Sequence, residues 1–171
     1  KTVAYLDMAF MHDGVPQMKL QARWSAPKHP EPGFAPPVDL GKALALMLAR
    51  LNICSKESVV RQYDHEVQGG SVVKPLVGAQ NDGPSDAGIV RPVLDSMEGV
   101  VVAHGICPRL SDLDAYHMTA CAIDEAVRNA IAVGVDPDHL AGLDNFCWCD
   151  PVKSAKTPDG DYKLAQLVRS N

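Results

Sequence analysis

Residues 115–133 read AYHMTACAIDEAVRNAIAV, the longest helical stretch in the chain, with no Gly or Pro to interrupt it. Asp124 and Arg128 lie four apart on one face and make an ordinary solvated charge pair. Glu125 and Asn129 also lie four apart, but about 100° round the helix from that face. Their neighbours on the wheel are Met118, Ala122 and Ala132. Side chains at i and i+4 project side by side, so an acid and an amide on a small-residue face can reach one ion together. Oxygen donors of this kind suit magnesium, which takes a few protein oxygens and leaves positions for phosphate. The same spacing describes a helix edge facing solvent equally well.

Upstream of this helix, Ser71 to Leu76, Gly88 to Val93 and Gly99 to His104 have strand-like composition. Downstream, Ala141 to Phe146 reads as a further strand and Leu164 to Arg169 as a final helix. Ser55 to Glu66 is polar and helical at its start. Strands dominate early and then alternate with helices, so the expected class is α+β, a mixed β-sheet with helices packed on one face. At the amino terminus, Val3, Tyr5 and Asp7 alternate with Ala4 and Leu6, His12-Asp13-Gly14 supplies turn chemistry, and Val15 to Trp24 resumes an extended pattern. Pro27 to Pro37 holds five prolines in eleven residues, a stiff connector. Asp39 then caps a helix expected over Leu40 to Leu51, with Leu44, Met47, Leu48 and Leu51 on one face. The expected organisation is therefore residues 1–26 as closing strands of a preceding domain, 27–38 as connector, and 39–171 as the main domain.

The 171 residues are 46% hydrophobic and 22% charged, the profile of an ordinary globular domain. A formal charge of −5 argues against nucleic acid as a partner. No apolar run approaches the ~20 residues a membrane helix needs. Five cysteines, an odd number scattered through the chain, do not make a disulfide framework, and a reducing, cytoplasmic setting is expected. Cys147-x-Cys149 lacks the second pair and the usual ligand spacing of a structural zinc site. The opening at Lys1, inside a strand-like segment, leads us to expect a piece of something longer.

Other segments carry chemistry with two readings each. Gly83-Pro84-Ser85-Asp86-Ala87-Gly88 is a turn entering a strand, where Asp86 serves either a metal site or simple turn chemistry. Leu143-Asp144-Asn145-Phe146 puts an acid and an amide at a strand end, a common place for ligand-contacting groups. Lys56 and Arg61 face either phosphate or neighbouring acids. Lys56 beside Cys54 is of the kind that lowers a thiol pKa, but no histidine is placed by sequence to serve that thiol. His65, His104 and His117 read at least as well as hydrogen-bonded structural histidines as they do as catalysts. Gly69-Gly70 is no phosphate loop, since the G-x-x-x-x-G-K-[ST] pattern is absent.

Taken in order, NICSKESVVRQYDHEVQGGSVVKPLVG (52–78), GPSDAGIVRP (83–92), DAYHMTACAIDEAVRNAIAVGVDP (114–137) and LDNFCWCDP (143–151) resemble the synthetase part of the formylglycinamide ribonucleotide amidotransferase family. The resemblance spans about Asp39 to Asn171. It implies an amino-terminal domain of the family's second half, with a fold like that of aminoimidazole ribonucleotide synthetase, half of a shared barrel. It also implies an ATP- and glutamine-dependent ligase that converts formylglycinamide ribonucleotide to the amidine in purine biosynthesis. Residue by residue, Asp86, Glu125 and Asn129 match magnesium ligands beside a bound ATP or ADP, while Ser85 and Asp144 match nucleotide contacts. Whether that nucleotide is catalytic or structural stays open. The family's catalytic histidine and glutaminase cysteine have no counterpart here, and its closing glycine-rich segment is expected beyond Asn171. The implied partners are the remaining synthetase domains, the glutaminase and the substrate, with a homodimer expected for the chain on its own. Two alternatives remain: a non-enzymatic dimerising scaffold, and another ATP-binding member of the same superfamily.

Overall fold

The computed structural model describes residues 1–62 and 67–171. Tyr63, Asp64, His65 and Glu66, the end of the polar segment, lie outside the described residues. By internal contacts the chain divides into two units, residues 27–145 and residues 1–26 with 146–171.

In the first unit, Asp39 sits in extended backbone and accepts the Lys42 N–H at 2.9 Å, which starts α1 (Leu40–Leu48). This helix stops three residues before the expected Leu51. The following turn is held by the Lys56 ammonium, which donates to the carbonyls of Leu51 at 2.6 Å and Cys54 at 2.8 Å. A single helical turn, α2 (Glu57–Val60), comes next. The strands are β1 (Ser71–Val73), β2 (Leu76–Val77), β3 (Gly83–Pro84), β4 (Gly88–Val90) and β5 (Val100–Val102).

Three strands form a sheet in the order β1-β4-β5, and β2 with β3 forms a separate hairpin. The α+β class holds, but the mixed sheet does not: every ladder among the described residues is antiparallel. A parallel pair needs a crossover of about a dozen residues or more, usually a helix, and residues 91–99 between β4 and β5 supply none. β4 and β5 pair in even register, with Gly88 opposite Val102, Ile89 opposite Val101 and Val90 opposite Val100. β1 meets β4 through an irregularity between Ser71 and Val73. Ile89 and Val101 point to the half-buried face, while Val90, Val100 and Val102 stand exposed on the other.

The long helix α3 (Ala115–Ala132) follows the sequence expectation to within a residue. Asp114 caps it by accepting the His117 N–H at 3.1 Å. At the other end Gly134 takes φ +100°, a conformation open to glycine, and lets Gly134 N–H reach Ile131 O while Val135 N–H reaches Ala130 O. Residues 141–146 form no strand; Gly142, Asp144 and Asn145 are poor strand formers and no neighbouring ladder recruits them.

In the second unit, α4 (Gly160–Ser170) is the organising element. Trp148 donates its indole N–H to Lys163 O at 3.1 Å, and the Arg169 guanidinium lies 4.3 Å from the Trp24 ring centre. The two strands expected within residues 1–24 are replaced by extended chain with one helical turn at Phe10–Gly14. An isolated hairpin is marginal in water, and here the Arg23 N–H is spent on Asp161 O of α4 at 3.0 Å.

Little is fully buried. Among the described residues the buried apolar ones are Leu76, Ala87, Ala115 and Ala130 in one unit and Ala165 in the other. Many large apolar side chains of the described residues are exposed, among them Leu40, Leu44, Leu46, Met47 and Leu48 of α1.

Candidate functional site

The site is built where the chain leaves β5 and runs against α3. Gly105 makes the approach possible: a Cβ there would collide with the Ala122 carbonyl oxygen and come within 2.9 Å of Ala126 N. With backbone this close, residues 104–107 reach two side chains of α3. Glu125 Oε2 accepts the Ile106 N–H at 3.0 Å and the Cys107 thiol at 3.4 Å. Asn129 Nδ2 donates to the His104 carbonyl at 3.0 Å. The nitrogen end of the Asn129 amide is thereby committed to protein, and the two donors to Glu125 fall on one of its oxygens. Burial first, then the hydrogen bond and charge of Glu125, push the Cys107 thiol above its ordinary value.

The helix-wheel distinction drawn from the sequence survives. Asp124 and Arg128 pair at 2.7 Å in the open, and this bond holds the Arg128 guanidinium above its ordinary pKa. An open groove of about 430 Å³ runs along this side of α3, lined by His117, Cys121, Asp124, Glu125, Arg128 and Asn129.

The other sequence candidates are placed as follows. Ser85 and Asp86 lie in the turn between β3 and β4. Ser85 Oγ donates to the Ala87 carbonyl at 2.8 Å, and Asp86 is exposed. Asp144 is exposed in the irregular segment after α3. Lys56 and Arg61, which the sequence left between phosphate and protein, are engaged by protein: Lys56 as described, and Arg61 with Glu57 at 2.6 Å. Lys56 Nζ also lies 3.7 Å from Cys54 Sγ. His104 contributes its carbonyl to the site, and its ring is exposed; His117 contributes a backbone N–H to the cap of α3. Cys147 and Cys149 are free and exposed, and no group of three His, Cys, Asp or Glu side chains arranged for a metal occurs among the described residues. No described helix is long and apolar enough to cross a membrane.

The contribution of residues 105–107 was missed in the sequence. The available signal was a glycine three residues past the strand core, followed by Ile-Cys-Pro, but only tertiary packing reveals what the missing Cβ makes room for.

No protein-family model and no solved structure matches the chain. Curated relatives do. The chain is 38% identical over 170 residues to a phosphoribosylformylglycinamidine synthase subunit PurL of Ignicoccus hospitalis, covering 97% of this chain and 22% of that protein. It is 37% identical over 135 residues to the subunit of the same name from Thermoplasma acidophilum, covering 78% of this chain and 17% of the relative. The Picrophilus torridus subunit is 38% identical over 109 residues, 63% of this chain and 15% of the relative. The chain thus spans less than a quarter of the length of these relatives.

Proposed function

The chain belongs to the phosphoribosylformylglycinamidine synthase family, as the counterpart of a segment of the PurL subunit, and we infer that it serves as part of an ATP- and glutamine-dependent ligase of purine biosynthesis. In that reaction the glycinamide carbonyl oxygen of formylglycinamide ribonucleotide is activated by phosphorylation and leaves as phosphate when ammonia attacks, while the formyl group is kept. The partners are then the remaining synthetase domains, the glutaminase that supplies ammonia, and the ribonucleotide substrate.

Within that machine this chain's role is a nucleotide-facing wall. Asp86, Glu125 and Asn129 are the proposed magnesium ligands, and Ser85 and Asp144 the proposed contacts to ATP or ADP. The donor chemistry fits: two carboxylates and an amide carbonyl are hard oxygen ligands, few enough to leave positions for phosphate and water. The observation that carries this role is the engagement of both Glu125 and Asn129 by residues 104–107, the continuation of β5. β4 is the ladder partner of β5, and two residues before Gly88 its chain reaches Asp86. We propose that Asp86, in the bend just before β4, completes the set with Glu125 and Asn129. Magnesium, when bound, neutralises charge on a phosphoryl group. The chain's own contribution is to hold an acid and an amide in fixed orientation and to donate nothing that competes with phosphate.

Titration calorimetry of the chain with ADP, with and without Mg²⁺, tests this reading. Magnesium-dependent binding is expected. Binding at no magnesium concentration would leave the scaffold reading, which the large apolar surface of α1 favours. The same preparation is expected to turn over no formylglycinamide ribonucleotide with ATP and ammonia, because positioning by the rest of the enzyme supplies much of the rate.

A further inference from the structure

One of the two groups that hold Glu125 is a backbone N–H, and that backbone is near enough only because residue 105 has no side chain. We propose that the turn Gly105-Ile106-Cys107 is a positioning element that sets the Glu125 carboxylate for a divalent cation. This rests on the reading of Glu125 and Asn129 as cation ligands.

The physical case has three parts. Gly105 packs so closely on α3 that any Cβ meets helix backbone, the Ala122 carbonyl and Ala126 N, and backbone cannot rotate away as a side-chain end would. The turn is therefore specified at that point and cannot be matched by a larger residue without separating from the helix. Next, the two donors it offers, Ile106 N–H and the Cys107 thiol, converge on the same oxygen, Oε2. A carboxylate with one oxygen pinned has its torsions fixed, so Oε1 points in one direction rather than sampling several. A charged acceptor strengthens such bonds. Finally, the His104 carbonyl, on the other side of Gly105, takes the Nδ2 of Asn129. One short segment thus orients both donors of the pair, an acid through its acceptor and an amide through its nitrogen, leaving Oε1 and the amide oxygen to face a cation. Groups that orient metal ligands in this way commonly change metal affinity by about 10- to 100-fold when removed.

Two kinds of variant test the proposal, with Mn²⁺ as the probe and its affinity read by electron paramagnetic resonance. Cys107→Ala removes a donor without any clash, so the fold is retained. About tenfold weaker Mn²⁺ binding is expected at an unchanged thermal midpoint. Cys107→Ser, which keeps a donor at the same place, should recover most of that loss. Equal Mn²⁺ affinity in Cys107→Ala and the unaltered chain would overturn the role of the thiol, and so would a serine variant no better than the alanine one. Gly105→Ala addresses the backbone. Hydrogen exchange at the Ile106 amide, measured without metal, should become fast, and Mn²⁺ affinity should fall further than in Cys107→Ala. Persistent protection of that amide in Gly105→Ala would refute the close-approach argument. The exchange measurement is independent of any cation. An unaltered chain that protects Ile106 yet binds no Mn²⁺ would therefore locate the failure in the cation reading and overturn the proposal with it. The control Gly33→Ala, where an added Cβ meets nothing, should change neither readout.

Discussion

Asp124 and Glu125 stand side by side on α3 and meet different surroundings. Asp124 is taken up by Arg128 at 2.7 Å in open solvent, while Glu125 turns its Oε2 to Ile106 and Cys107. An exposed i,i+4 ion pair is dispensable; under the proposal above, Glu125 is not. Glu125→Gln, which preserves shape and removes charge, is expected to weaken Mn²⁺ binding by at least about tenfold, whereas Asp124→Asn should leave it unchanged. Equal losses in the two variants would mean diffuse attraction by an acidic surface rather than a defined site. The wheel separates these two acids correctly, because 3.6 residues per turn is a local property of the chain. Asp86 and Asp144 could not be ranked the same way. Both are exposed carboxylates in irregular segments, and only what the chain brings opposite them distinguishes a ligand from a turn residue.

At the scale of elements, local chemistry predicted the helices well and the amino-terminal strands poorly. Asp39 caps where its position suggested, since a capping carboxylate needs only its own next three residues, and the structure adds Asp114 as the cap of α3. The strand-like alternation in residues 1–24 found no ladder partner and its Arg23 N–H went to α4 instead. α4 is held there by Asp161, bonded to Lys153 at 2.7 Å with Arg23 4.0 Å away. The Lys153 hydrogen bond holds the Asp161 carboxyl below its ordinary value, and Lys163 does the same for Asp159. A pKa lowered on folding contributes stability that is present above the ordinary carboxylate value and is lost as pH falls through the lowered one. The unit formed by residues 1–26 and 146–171 should therefore be insensitive to pH near neutrality and lose stability below about pH 4. Tryptophan fluorescence at Trp24 and Trp148 reports on this unit, and Asp161→Asn should flatten the acid limb of its unfolding curve. An unchanged acid limb in that variant would assign the transition to other carboxylates.

For the molecule as a whole, the decisive quantity is surface. Large apolar side chains of the described residues stand in water within the unit of residues 27–145. One such region is the outer face of the three-stranded sheet, where Val72, Val90, Val100 and Val102 are exposed. Its two edge strands, β1 and β5, also present unpaired backbone. A second copy supplies a matching face by symmetry, and a two-fold pair would bury the valines of both. The chain alone is therefore expected to dimerise, and Val100→Lys should shift it toward monomer. Light scattering over a concentration series measures this. A monodisperse monomer at high concentration, in the unaltered chain, would rule the pairing out.

From the sequence alone came the order of the main elements between residues 39 and 140, the Asp39 cap and the split of the α3 acids into a solvated pair and a candidate ligand pair. The motifs also pointed to the family that the relatives support. These are properties of neighbours in the chain or of ordered short motifs, and they need no knowledge of what packs where. The tertiary structure decided the antiparallel pairing of every described ladder, the absence of the strands expected within residues 1–24 and at residues 141–146, and the closeness of Gly105 to α3. Each depends on a partner distant in sequence: β4 for β5, Asp161 for Arg23, Ala122 for Gly105. A strand is stable only when something pairs with it, and a glycine reveals its purpose only when something occupies the space its side chain would have filled.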